Sequence, residues 1–301
     1  MTVDPAESEI LAKVRESLLR NYFTQSDYLA SDLGQKDLAN HLYRGLMEDR
    51  ERTIPWIESF YPLRGSRVLE IGCGTGESTL AMAERGAIVT AIDIRADSMR
   101  VAEDRCNAYG YSARFLVANA ADVKKHFSSE KFDLIIFFAA LEHMTHEERR
   151  TGMHDAWNML DSGAQLVVIE TPNRLWYFDG HTALLPFYHW LPDRVAFEYA
   201  RFSTRRYFRE LYLEHTPEKE LHFLRRGRGI SFHEFDLFVA PVRELDLVSC
   251  LHTYLRARNP AEQQNWIESG GAAFAAHLQR ACPDLHPAFL EPSLDLAIRK
   301  S

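Results

Sequence analysis

From Arg67 onward the chain alternates short apolar runs with longer stretches whose apolar positions recur at helical spacing. The runs are RVLEI at 67–71, AIVTAIDI at 87–94, ARFLVA at 113–118, FDLIIFF at 132–138 and AQLVVIE at 164–170. Between them helices are predicted to about Arg85, Asn107 and Leu160. Strands that alternate with helices make right-handed βαβ units and a parallel sheet. Five such runs predict an open, doubly wound α/β sheet rather than an eight-stranded barrel. Residues 1–64 carry no strand run and place Ile10, Leu11, Val14, Leu18 and Leu19 at helical spacing, so they read as a helical lead-in.

After Glu170 the alternation stops for roughly 60 residues, through 171–229, in a segment dense in aromatics, His, Arg and Pro. A stretch of that length without its own α/β rhythm is an insertion, and it reads as a lid. The rhythm resumes at Ser231-Phe-His-Glu234, which has the spacing of a capping box. A strand near 244–250, a helical stretch over 261–281 and a last strand at 293–299 complete the chain. The expected organisation is a lead-in at 1–64, a cofactor-binding core at 65–171, a lid at 172–230 and completion of the sheet at 231–301.

Composition narrows the class without naming it. Hydrophobic residues are 46% and charged residues 26% of 301, which is ordinary for a globular chain. The 35 Lys and Arg against 43 Asp and Glu leave a net charge of -8, which repels a phosphate backbone and argues against nucleic acid as partner. Cys73, Cys106, Cys250 and Cys282 are scattered without C-x-x-C spacing and read as reduced thiols of a cytoplasmic protein. The first residues are acidic and lack signal-peptide order, and no apolar run nears the ~18 residues of a membrane span.

The sharpest local signal is Val68-Leu-Glu70-Ile-Gly72-Cys73-Gly74-Thr-Gly76, a strand that runs into a glycine loop and then a helix. Such a loop turns tightly, lets a ligand approach the backbone, and presents helix N-terminal amides to a nucleotide-like cofactor. The next strand ends at Asp93, where a carboxylate can accept hydrogen bonds from ribose hydroxyls. A dinucleotide fingerprint, G-x-G-x-x-G, would need glycine at position 77, where the chain has Glu77. A carboxylate there opposes a pyrophosphate.

Glu70 to Gly76, Asp93, the run Phe132-Asp-Leu-Ile-Ile-Phe-Phe-Ala-Ala-Leu-Glu-His-Met144 and the run Leu160-Asp-Ser-Gly-Ala-Gln-Leu-Val-Val together resemble the class I S-adenosylmethionine-dependent methyltransferases. The likeness covers about 65–170 and the last two strands. It implies a seven-stranded, mostly parallel Rossmann-like sheet whose last strand runs antiparallel, and S-adenosylmethionine as cofactor, whose zwitterionic tail beside a sulfonium tolerates nearby carboxylates. It also implies that Gly72, Cys73 and Gly74 line the methionine moiety, with Asp93 at the ribose, and Glu70, Gly76 and Ile94 complete the expected cofactor-binding set. Many relatives hold the adenine amino group with an acid before Ala. Here Asn119 and Ala120 stand in that place, and Asp122 is the alternative ligand or a helix cap. Cys73 has no basic neighbour to activate it and reads as a lining residue. Some metal-dependent relatives carry E-x-x-E-H where this chain has Ala139 before Glu142 and His143, so one ligand is missing and no metal is expected.

Ligands of open α/β sheets sit beyond the carboxyl ends of the strands. The segment after the fifth strand therefore supplies the expected substrate wall, with Asn173, Trp176, Tyr177 and Asp179. A histidine near neutrality suits removal of the acceptor's proton, and His181 heads the candidates, with Asp179 to orient it, followed by His233 and His143. Lid arginines from Arg194 to Arg228 form solvated ion pairs or clamp an anionic substrate. The aromatic stretches around 176–178 and 187–191 fill a core, bury against a second copy in a homodimer, or receive a substrate. The expected activity is methylation of an anionic or aromatic small molecule, at oxygen first and nitrogen next. A nucleic-acid methyltransferase and a non-catalytic cofactor-binding scaffold are the alternatives.

Overall fold

The computed structural model describes residues 5–301. The start of the lead-in, residues 1–4, lies outside them. Seven strands, β1 (Arg67–Ile71), β2 (Ile88–Asp93), β3 (Arg114–Val117), β4 (Leu134–Phe138), β5 (Gln165–Pro172), β6 (Asp246–Cys250) and β7 (Ser293–Arg299), form one sheet in the order β3-β2-β1-β4-β5-β7-β6. The predicted seven-stranded α/β sheet is thus present, and β7 pairs antiparallel with both β5 and β6. The chain divides into two compact units, residues up to 136 and residues 137–301.

In the first unit β1 pairs parallel with β2, Glu70 opposite Ala91, and β2 with β3, Asp93 opposite Val117. Val68, Leu69 and Ile71 of β1 are buried, as expected of a parallel strand covered on both faces. Helices α1 (Pro5–Ser17), α2 (Glu77–Glu84) and α3 (Ala96–Ala108) belong to this unit. The lead-in is helical but not smooth, because wide π turns interrupt it at Leu18–Tyr22, Asn40–Arg44 and Asp49–Thr53. Val14, Leu18, Phe23 and Leu38 of the lead-in pack with Val101 of α3 in one apolar cluster. That contact lays the lead-in against the helix that follows β2.

In the second unit, α4 (His146–Met159) opens on a capping box in which the Thr145 side chain accepts from Glu148 N and Glu148 accepts from Thr145 N. The chain leaves β5 at Pro172 and returns at Ile230, and the two ends are stitched by Arg174 N to Ile230 O (2.7 Å) and Ile230 N to Pro172 O (3.0 Å). Between them the insertion builds its own aromatic core from Tyr188, Phe197, Phe208, Tyr212 and Phe223. Its entropy of ordering is thereby opposed by its own buried area. The stretch around 187–191 divides: Tyr188 lies in that core, whereas Phe187 and Trp190 are exposed. The expected capping box at Ser231 and Glu234 opens the helix Phe232–Phe238. The helical stretch near 261–281 resolves into Pro260–Glu268 and Gly271–Ala281. Among the described residues no helix is long and apolar enough to cross a membrane.

Candidate functional site

The glycine loop of the first unit is held open by left-handed backbone. Gly72, Gly74 and Gly76 have φ of 88°, 52° and 83°, a region closed to most side chains. Their reasons differ. A Cβ at Gly76 would fall 2.7 Å from Ala102 of α3, so that glycine permits packing of the loop on a helix. A Cβ at Gly74 would meet nothing, so the loop is open at that point. Asp93 reaches across from the end of β2, its Oδ2 accepting from Gly74 N (3.0 Å) and its Oδ1 from Arg95 N (2.8 Å). Beside it Ile94 and Val117 expose about half of their apolar surface at the ends of β2 and β3.

A buried polar layer supports the loop. Glu70 is fully buried and accepts from the hydroxyls of Ser78 and Thr79 in α2, and burial pushes its carboxyl up to about 7 against the lowering effect of those bonds. Glu77 meets the buried Arg105 at 3.1 Å, accepts from Thr75 and lies 3.4 Å from His41. Burial opposes its charge, but Arg105 and His41 prevail and lower its carboxyl to about 2. The His41 Nδ1 is also 2.9 Å from Thr75 Oγ1, and the His41 ring packs 4.9 Å from Tyr22, over which Arg95 sits at 4.7 Å.

In the second unit a cavity of about 510 Å³ lies at the carboxyl end of β5, walled by Trp176, Tyr177 and Phe178, with Glu170, His181 and Ser293 among its polar lining and neither Arg nor Lys. Trp176 is fixed by its Nε1 bond to Leu290 O (2.9 Å) and by Phe274, whose ring lies 5.1 Å away. Asp179 is buried and accepts main-chain N–H groups from His181 and Thr182 on Oδ1 (2.9 and 2.8 Å) and from Ala183 on Oδ2. Burial raises its pKa, but the His189 contact and those amides outweigh it, and the carboxyl is held far below its usual range. The turn so fixed carries His181. The His181 ring is in turn 5.7 Å from that of His143, and ring nitrogens of both lie within 4.8 Å of a Glu142 carboxylate oxygen.

Residues 68–163 match the family described as a methyltransferase domain. This part of the chain is thus similar to the methyltransferase-domain family. Over 142 residues the chain is 32% identical to the ubiquinone biosynthesis O-methyltransferase of Paracidovorax citrulli, covering 47% of this chain and 52% of that protein. It is 31% identical over 105 residues to the protein of the same name from Thiobacillus denitrificans, covering 35% and 45%. A solved S-adenosylmethionine-dependent methyltransferase from Methanosarcina mazei shares 29% identity over 40% of this chain and 58% of that one, with a TM-score of 0.36. The chain spans about half the length of the curated relatives it matches.

The glycine loop has the chemistry that S-adenosylmethionine asks for: an open glycine face at Gly74, a carboxylate at Asp93 and exposed apolar surface at Ile94 and Val117. Several expected contacts change character. Glu70 has both oxygens engaged beneath the loop, so it shapes the site without facing a ligand. Asn119 spends its carbonyl on Ala121 N (2.9 Å), capping the turn Ala120–Asp122, and Ala120 is buried. Asp122 makes no side-chain capping bond at the helix that follows. The charge of Glu77 is balanced by Arg105, so it is weaker evidence against a pyrophosphate than the spacing suggested. The Cys73 thiol is buried against Met99 Sδ (3.3 Å), and burial pushes its pKa well up, which disfavours the thiolate.

On the substrate side Asn173 is buried and saturated, donating to Phe289 O and Glu291 O and accepting from Leu175 N. It and Asp179 both line the cavity, with their polar atoms engaged by the chain's own backbone. Trp176 and Tyr177 form the wall itself. His233 is exposed, stacked on Phe232 and outside the cavity lining, whereas His181 lines the cavity with His143 beside it. None of the insertion's arginines is among the residues that line the cavity. Arg201 and Arg206 pair with Glu198 and Glu210, Arg225 with Glu148, and buried Arg228 with Asp193. The contacts of Tyr22, His41 and Arg105 beneath the loop were not legible in the sequence, because a network between residues tens of positions apart leaves no periodic trace.

Proposed function

We propose that the chain is an S-adenosylmethionine-dependent methyltransferase that methylates a hydroxyl oxygen of a small aromatic molecule. The observation that carries this reading is the cavity walled by Trp176, Tyr177 and Phe178, with His181 on its lining and no cationic side chain. A ring-bearing acceptor suits such walls. An anionic one finds no arginine there. The O-methyltransferase name of the relatives from ubiquinone biosynthesis supports oxygen over nitrogen as the acceptor atom.

S-adenosylmethionine, when bound, supplies a methyl group on a sulfonium sulfur. The chain's own residues bind and orient. Asp93 and the glycine loop hold the cofactor, and the aromatic wall holds the acceptor ring. His181 activates the acceptor's hydroxyl: its Nδ1 is engaged by Thr182 Oγ1 (3.0 Å), which leaves Nε2 to work. Burial lowers its pKa, with His143 adding to the effect and Glu142 opposing it, so the ring is neutral near pH 7 and able to take a proton. The four free cysteines suit a reducing cytoplasm.

Calorimetric titration with S-adenosylhomocysteine tests the cofactor half. Binding by the wild type and a loss of about 10-fold or more in Asp93→Ala are expected, from removal of charged hydrogen bonds. A panel of phenols, catechols and amines tests the acceptor half. No binding, or transfer to amines alone, rejects the reading.

A further inference from the structure

His189 sits on the short turn Tyr188–Trp190 of the insertion, buried at the lining of the cavity. Its Nδ1 lies 3.0 Å from Gly229 N, and a main-chain N–H only donates. Nδ1 therefore carries the lone pair, and the ring proton sits on Nε2. That nitrogen is 3.2 Å from Asp179 Oδ1 in a bent contact, and nothing else among the described residues meets it. A buried N–H without an acceptor is costly, so the Asp179 carboxylate is what fixes this end of the ring. Burial lowers the His189 pKa against the pull of Asp179, which keeps the ring neutral near pH 7 and in this one tautomer.

The other end of the ring is anchored in the returning segment. A Cβ at Gly229 would fall 2.8 Å from Pro172 O and 3.1 Å from His189 Cγ, so glycine lets that backbone come close enough to give its N–H to the ring. Arg228 beside it donates to Tyr188 O (2.7 Å) and to Leu191 O, which clamps the turn that carries His189. Ile230 N donates to Pro172 O at the end of β5. A line of bonds thus runs from β5 through the returning segment and His189 to Asp179.

Asp179 gives its remaining acceptor sites to its own turn, to the amides of His181, Thr182 and Ala183. Bonds within one turn cannot fix that turn against the sheet. His189 does so, together with the Thr182 hydroxyl, which donates to Gly227 O (3.1 Å). The backbone between Asp179 and His189 is strained: Leu184 and Phe187 have φ of 54° and 58°, left-handed without being glycine. Such backbone persists only where its surroundings over-determine it, and Asp179 meets this stretch at Ala183 and again at His189.

We propose that His189 is a positioning residue for His181: through the Asp179 carboxylate it holds the turn that presents the His181 ring at the cavity. The role rests on the reading of His181 as the group that takes the acceptor's proton. His189 transfers no proton itself, since its lone pair is spent on Gly229 N and its proton on Asp179.

Two amides separate the two ends of the ring. A glutamine amide reaches the place of Nε2 and can donate to Asp179, whereas an asparagine amide reaches the place of Nδ1 and can accept from Gly229 N. His189→Asn is expected to lower kcat about 10-fold or more through misplacement of His181, with acceptor KM and S-adenosylhomocysteine affinity within about twofold of wild type. His189→Gln is expected to retain at least about three times the kcat of His189→Asn. In ¹⁵N NMR of the full chain, the His181 ring signals, assigned with His181→Ala, should stay in place in His189→Gln and shift in His189→Asn. An asparagine variant that matches or exceeds the glutamine variant, or wild-type kcat in both, overturns the proposal, because a ring that only stitches Gly229 to its turn needs its acceptor and not its donor. If the wild type methylates no acceptor, the proposed reaction falls and the order of the His181 shifts alone decides on His189. Should neither variant fold, the wild-type spectrum decides: a neutral His189 ring protonated at Nε2 supports the role, and a charged ring or a proton on Nδ1 overturns it.

Discussion

Arg105, with no exposed side-chain surface, reaches Glu77 at 3.1 Å at the start of the helix that follows the glycine loop. The same guanidinium donates to Thr75 O (2.8 Å) and to the main-chain oxygen of His41, so one side chain ties the lead-in to the loop. Removing it leaves the buried Glu77 without its guanidinium, with only Thr75 and His41 as partners. Arg105→Ala is expected to lose about 3–5 kcal/mol of stability in urea unfolding and to weaken S-adenosylhomocysteine binding. Arg105→Lys should recover only part, because a point charge cannot span three acceptors. Full recovery by lysine would show that the charge alone matters.

Glu70 sets a pH dependence. Burial holds its folded pKa near 7, above the ordinary 4.5, so the stability it contributes is full below 4.5 and is lost as pH rises through 7. Glu70→Gln cannot ionise. The difference in Tm between wild type and Glu70→Gln should therefore fall as pH is raised from 5 to 8. A difference independent of pH would contradict the assignment.

Asp179 acts through the backbone it binds. Asp179→Ala removes the acceptor of three amides in the turn that carries His181. Turnover should drop at least about 10-fold from misplacement of the ring, while S-adenosylhomocysteine affinity stays within about twofold. An equal loss of both would place Asp179 in the general stability of the chain instead.

His181→Ala should lower turnover by about 10²–10⁴-fold with little change in KM for the acceptor. Tyr177→Ala should do the reverse, raising KM as one aromatic wall is lost. Steady-state kinetics with a phenolic acceptor separate the two. Tyr177→Ala with unchanged KM would place the acceptor ring elsewhere.

The core of the fold was legible because it is written in short-range pattern. The runs at 67–71 and 293–299 became β1 and β7 within the same bounds, since apolar runs between turn signals have few other ways to be buried. Ser231 to Glu234 formed the expected capping box. Polar residues were less legible. Asn173 and Asp179 stand where a substrate wall was expected, yet whether a carboxamide or carboxylate meets a ligand or the chain's own amides depends on which backbone groups the fold leaves nearby. Asn119 likewise turned inward to cap its own turn.

By itself the sequence determined the sheet, its helices and the glycine loop, because periodicity and left-handed glycine positions act over a few residues. The loop and Asp93 one strand beyond it pointed to a nucleotide-like cofactor, and the resemblance made that cofactor S-adenosylmethionine. Only the tertiary structure decided that Arg105 neutralises Glu77, that Arg201, Arg206 and Arg228 pair with acids of the insertion itself, and that Glu142, His143 and His181 meet. Those relationships join residues tens of positions apart, where burial and unsatisfied polar atoms, which no local pattern records, select the partner.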